Sequence, residues 1–182
     1  MIVMEQEPTP ADKHAAYLAV CDMRLSTTQK CRVLNEAISW HKDSWRVVGI
    51  TPAALEVFAK NNFKKVAKMG IHRAHLVDRS ETYKHMLNSP MYNCDEWWDF
   101  YCKNDRTVFS TVSENMGDID EESIIWFDVE GLFLMQGFAW RHTKQESSFL
   151  KKLYREVKKQ ELTQPLQTCK QNMKKLLSTE TE

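Results

Sequence analysis

Ile71-His72-Arg73-Ala74-His75-Leu76-Val77-Asp78 and Thr107-Val108-Phe109-Ser110-Thr111-Val112-Ser113-Glu114-Asn115 are the two stretches on which the reading of this chain turns. The first places an imidazole at the end of a short apolar run, and the second ends a β-like run with a carboxylate and an amide side by side. With a strand's period of two, Ile71, Arg73 and His75 share one face and His72 lies on the other. A histidine titrates near neutral pH and can deprotonate water, while carboxylate and amide oxygens suit a hard divalent cation. Those groups are the minimal equipment for metal-assisted hydrolysis of a phosphodiester.

At these residues the chain resembles the His-Me finger (ββα-metal, HNH-like) endonuclease superfamily. Arg73-Ala74-His75-Leu76 is similar to the Arg-Gly-His-Leu part of the DRGH motif of the non-specific DNA/RNA endonucleases. Thr111-Val112-Ser113-Glu114-Asn115 is similar to the T-x-x-E-N run that closes the finger in many HNH homing endonucleases. The resemblance covers residues 70–117 and implies an endonuclease acting on DNA, with RNA as a second candidate substrate and Mg²⁺ or Mn²⁺ as cofactor. It implies His75 as general base, Arg73 as a phosphate contact, Asn115 as a metal ligand assisted by Glu114, and Asn104 as a residue orienting His75. Two positions depart from the pattern. Ala74 stands where HNH enzymes usually carry Asp or Asn, and Arg106 stands where the middle asparagine normally lies, Asn104 being the nearest substitute. These departures favour a competing expectation, a non-catalytic nucleic-acid-binding or protein-inhibitor module on a degenerate nuclease fold. A third expectation, a structural subunit docking through its C-terminal helices, requires an apolar stripe left exposed in the monomer.

The 182 residues, 42% of them apolar, suffice for one substantial core and are read as a single domain. Within it, 1–65 is a helical N-terminal part, 70–117 the candidate finger and 143–178 a pair of basic C-terminal helices. Five cysteines form no C-x-x-C pair, which suits reduced thiols in a cytoplasm rather than a structural zinc. No apolar stretch reaches membrane-spanning length, and acidic residues stand near the start where a secretory signal would be basic. The expectation is a cytoplasmic protein without a membrane partner. Formal net charge is zero, so any attraction to a polyanion must come from local asymmetry. Between Arg141 and Lys175 ten basic residues face three acidic ones, and Lys60, Lys64, Lys65, Lys68 and Arg73 lead into the histidine strand. Lys64, Lys65, Lys68, Lys151, Lys152 and Arg155 are therefore the candidate nucleic-acid contacts, with an exposed, solvated helix face as the bland alternative.

The expected architecture is α+β: a small ββα-metal finger with a short antiparallel sheet, wrapped by N- and C-terminal helices. Thr9-Pro10 and Thr51-Pro52 open helices with proline in the first turn, and Thr27 or Thr28 opens another. Trp45 to Gly49, the His75 segment and Thr107 to Thr111 read as strands, with helices at Ser80–Leu87 and Cys94–Lys103 and a turn at Glu114-Asn115. Further strands are expected at Ser123–Phe127 and Leu132–Trp140. Thr143-Lys144-Gln145-Glu146 is a capping box whose helix presents Phe149, Leu150, Leu153 and Val157 on one face, and a last helix follows a break at Thr163–Pro165. Its amphipathic character is compatible with a homodimer. The aromatic run Trp97, Phe100 and Tyr101 reads as a packing face rather than a base-stacking surface, and His14, His41, His85 and His142 read as structural.

Overall fold

The computed structural model describes residues 7–39, 41, 44–64, 66, 68–117, 119–127, 129, 132–134 and 143–160. Local capping sets most helix starts. Helix α1 (Pro10–Asp22) opens on Thr9 through a reciprocal capping box with Asp12. Helix α2 (Thr27–Ile38) opens on Ser26 with Gln29 in the same role, one residue upstream of the expected cap. Strand β1 (Arg46–Ile50) runs into α3 (Pro52–Lys60), whose N-cap Thr51 accepts from the Ala54 amide. Strand β2 (Ile71–His75) is followed by α4 (Arg79–Asn88), α5 (Cys94–Asn104) and strand β3 (Arg106–Thr111). Helix α6 (Val112–Met116), a 3-10 turn at Glu121–Ser123 and strand β4 (Ile125–Trp126) come next. The last described helix, α7, spans 144–160.

The fold is α+β: among the described residues, seven helices surround a four-stranded sheet of order β2-β3-β1-β4. The sheet is mixed rather than wholly antiparallel. β2 and β3 pair antiparallel, from Ile71 opposite Thr111 to His75 opposite Thr107, whereas β1 and β3 run parallel with Arg46 opposite Arg106. Parallel pairing follows from the long excursion through α3, β2, α4 and α5 that returns the chain in its original direction. Two other expectations are corrected. Glu114-Asn115 is not a turn but part of α6, because Thr111-Val112-Ser113-Glu114 is itself a capping box. Leu132–Leu134 is not in a strand, and 135–142 lies outside the described residues, as do Lys65, the break at Thr163–Pro165 and the last expected helix.

Three apolar clusters hold these elements. On one sheet face Val47, Ile50, Ile71 and Phe109 meet Leu55 and Phe58 of α3, Phe133, and Leu150 of α7. Phe149, Leu153 and Val157 pack against the same cluster, the face that the sequence marks. On the other face Ala74, Val108 and Ile124 form a smaller cluster. The third lies within the N-terminal helices α1, α2, α4 and α5, around Tyr17, Leu34, Met86, Trp97 and Tyr101. Trp97 stacks on Tyr17 at 5.4 Å and on Tyr101 at 6.1 Å, so the aromatic run of α5 is core, as its helical spacing indicates. His14, with Nε2 2.9 Å from the Met91 carbonyl oxygen, and His41, against the Trp98 ring, are buried structural residues. No described helix is long and apolar enough to cross a membrane.

Trp97 has no exposed surface, and Trp97→Ala is expected to cost about 3–5 kcal/mol. Urea unfolding checks this; a cost below 1 kcal/mol would mean that the helical cluster is not a close-packed core.

Candidate functional site: a buried carboxylate node beside a basic cleft

His75 ends β2 and turns toward the junction of α5 and β3, where Asp105 sits as the C-cap of α5. The Asp105 side chain is only 1% exposed. Its Oδ1 accepts from Arg79 Nε at 2.6 Å and lies 3.3 Å from His75 Nε2; its Oδ2 accepts from Arg79 Nη2 at 2.9 Å and from the Trp45 amide at 3.2 Å. Arg79 thus grips the carboxylate with both prongs of its fork, the strongest form of the pair. Burial alone would raise the Asp105 pKa. The hydrogen bonds from His75 and Arg79, the guanidinium charge and the Trp45 amide outweigh burial and hold the carboxyl below its ordinary value.

The Trp45 indole closes the node. The Arg79 guanidinium lies 4.5 Å from its ring centroid and the His75 ring meets it edge-on at 4.5 Å. Trp45 adopts φ 57°, a left-handed conformation costly for a bulky residue, and its amide hydrogen bond to Asp105 is part of what holds it there. An ionised Asp105 can only accept, so His75 Nε2 carries the hydrogen in this contact, and in a neutral ring Nδ1 is then the acceptor.

The other expected site residues fall elsewhere. Arg73 is partly buried, donates from Nη1 to the Trp45 carbonyl at 3.4 Å and stacks 5.9 Å over Phe109. Burial pushes its pKa down to about 10, against the charge of Glu146. Asn104 donates to the Phe100 carbonyl at 2.7 Å, and it is Asp105, not Asn104, that contacts His75. Glu114 Oε2 accepts from the Thr111 amide and hydroxyl and from the Thr51 hydroxyl, each at 2.8 Å, which ties the caps of α6 and α3 together. Asn115 is exposed on α6. Thr111 pairs with Ile71, and four residues of strand, about 13 Å, separate it from Thr107, the partner of His75. The structure therefore groups Glu114 and Asn115 at one end of the β2–β3 pair and His75 with Asp105 at the other. That donor set does not fit a metal ion shared with His75. Lys64, Lys68, Lys151, Lys152 and Arg155 are exposed, Lys152 within 3.8 Å of Glu156.

An open cleft of about 610 Å³ lies at the α5–β3 junction, where Asn104 and Arg106 flank Asp105 in sequence, and is lined by Arg46, Leu76, Val77, Lys103, Asn104, Arg106, Glu121 and Trp126 among others. The register explains the convergence. Arg46 opposes Arg106, a bulge after Val47 brings Gly49 opposite Val108, and Gly49 opposes Trp126, so Arg46, Arg106 and Trp126 emerge on one sheet face. Gly49 is required there, because a Cβ would stand 2.7 Å from Ile124 Cγ2. Arg46 Nη2 donates to the Val129 carbonyl at 3.5 Å; no ion pair among the described residues engages Arg46, Lys103 or Arg106. None of these residues belongs to the sequence's basic runs. Asp105, Arg79 and Trp45 were also missed, although Arg79 directly follows the first quoted stretch. No protein-family model, curated protein or solved structure matches the chain.

Asp105→Asn removes the charge that Arg79 pairs with and is expected to cost about 3–5 kcal/mol of stability. Because the folded pKa lies below the ordinary 3.8, the Asp105 contribution is complete above that pH and is lost as pH falls through the depressed value. Denaturant unfolding from pH 7 down to pH 2 should show the wild type weakening below about pH 4, with a flatter profile for the variant. Equal slopes would contradict the role given to Asp105.

Proposed function

We propose that the protein binds nucleic acid, holding the phosphate backbone in the cleft between β1, β3 and the α5–β3 junction. The observation that carries this reading is the convergence of Arg46, Lys103 and Arg106, with Glu121 the one acid among the described lining residues, beside a Trp126 that is 52% exposed. Guanidinium groups recognise phosphate oxygens through paired donors, and three cations in one concave site raise the local potential even on a chain of zero net charge. The cleft lies on the sheet face opposite the one that α3 and α7 cover, so the exposed lysines of α7 would act, if at all, as a separate surface.

A second reading, a DNA endonuclease of the His-Me finger kind, has one observation in its favour. The Asp105 carboxylate orients His75 and leaves its Nδ1 as acceptor, the arrangement of a general base that takes a proton from water attacking phosphorus. His75 keeps 17% of its side chain exposed, enough for access. Mg²⁺ or Mn²⁺ would supply charge stabilisation at the leaving oxygen, but Glu114 and Asn115 are not placed to hold it beside His75, and no step is derived through it. Incubation of supercoiled plasmid with either ion or with EDTA tests this reading. Nicking that His75→Gln abolishes while leaving circular dichroism unchanged would support it, and intact plasmid under all conditions would remove it.

For the binding reading, the double variant Arg46→Ala, Arg106→Ala is expected to weaken binding of a labelled oligonucleotide and to lower the slope of log K against log salt by about 1.4–1.8. Fluorescence anisotropy across a salt series measures both. An unchanged slope would show that these arginines do not meet phosphate.

A further inference from the structure

We infer that the cleft takes single-stranded nucleic acid, with one unpaired base stacked on Trp126 and the flanking phosphates at Arg46 and Arg106. This rests on the cleft being the nucleic-acid interface, and adds to it the class of strand. Shape is the first reason. Duplex major grooves are read by elements that protrude, a helix or a two-stranded ribbon, whereas this site is a concavity of about 610 Å³. That volume lies in the range of pockets that enclose small organic groups, on the scale of nucleotides rather than of a duplex.

The second reason is the indole. Trp126 ends a two-residue edge strand, opposite Gly49, and more than half of it is open to water. Glycine at position 49 leaves the indole without a side chain directly opposite it on β1. An exposed aromatic plane next to cations is the combination that holds single strands, since a base offers its π-face only when it is unstacked. In a duplex both faces of each base are already occupied.

The third reason is continuity. A second depression of about 550 Å³ adjoins the cleft, sharing Val77 and Asn104 with it. It contains the exposed His85 ring stacked 5.0 Å from Phe100. A strand leaving Trp126 past Asn104 would meet this second aromatic surface, where a further base can stack.

The experiment compares a short single-stranded oligonucleotide carrying 2-aminopurine with a blunt duplex of the same sequence, using wild type, Trp126→Ala, Trp126→Phe and the Arg46→Ala, Arg106→Ala double variant. Trp126 is largely exposed, so its variants should fold, which circular dichroism verifies. The expected result is at least tenfold tighter binding of the single strand, with 2-aminopurine quenched on binding. Trp126→Ala should lose about 5- to 150-fold in single-strand affinity with little change for duplex, and Trp126→Phe should recover most of that loss. Duplex binding as tight as single-strand binding, or single-strand binding indifferent to Trp126→Ala, would overturn the inference. If the double arginine variant still weakened binding in that case, the cleft would remain the interface. Failure of both nucleic acids to bind would overturn the interface and this inference together.

Discussion

The carboxylate of Asp105 is the constraint on which the rest of the structure depends. One side chain, almost wholly removed from water, accepts from the residue before β1, the last residue of β2 and the first residue of α4, while its own amide caps α5. Leaving such a charge buried without partners is costly, so the four elements are held in a single arrangement or the carboxylate is stranded. Arg79 adds a contact to Asn35 of α2 at 3.5 Å, which extends the node into the helical cluster. The sheet and the N-terminal helices have separate apolar cores, and this polar node joins them.

From that joint the cleft follows. Fixing the end of β2 and the start of β3 places Leu76, Val77, Lys103, Asn104 and Arg106 along one rim, and fixing the start of β1 sets Arg46 opposite Arg106. The same packing keeps Arg73 away from the cleft, between the Trp45 carbonyl and the Phe109 ring. A cation in such a place is engaged inside the fold and contributes little to a surface potential. Position in the sheet, not charge, decides which arginines can meet a polyanion.

What was legible in the sequence was local. Thr9-Pro10, Thr51-Pro52 and Thr143 with Glu146 mark helix starts because the cap and its partner lie within four residues of each other, and the apolar face of α7 is visible in its spacing. The strands at β1, β2 and β3 were legible for the same reason. Thr111-Val112-Ser113-Glu114 was also local, yet the same four residues satisfy both a nuclease-like motif and a capping box, and only the hydrogen bonds distinguish them. The node was not legible, because Trp45, His75, Arg79 and Asp105 span sixty residues and converge only after β1 and β3 pair in parallel. Arg46 and Arg106 were hidden in the same way: each is an isolated cation in sequence, whereas among the conspicuous lysines Lys64 and Lys68 lie in the α3–β2 connection and Lys151 and Lys152 are exposed on α7.

The proposed function puts nucleic acid in the cleft of Arg46, Arg106 and Trp126. The most direct test is photocrosslinking of the full chain to a single-stranded oligonucleotide carrying 5-iodouracil, followed by mass mapping of the modified peptides. Crosslinks at Trp126 and in the 103–106 segment are the predicted result. Crosslinks confined to α7 at Lys151, Lys152 or Arg155, or to Asn115, would contradict it.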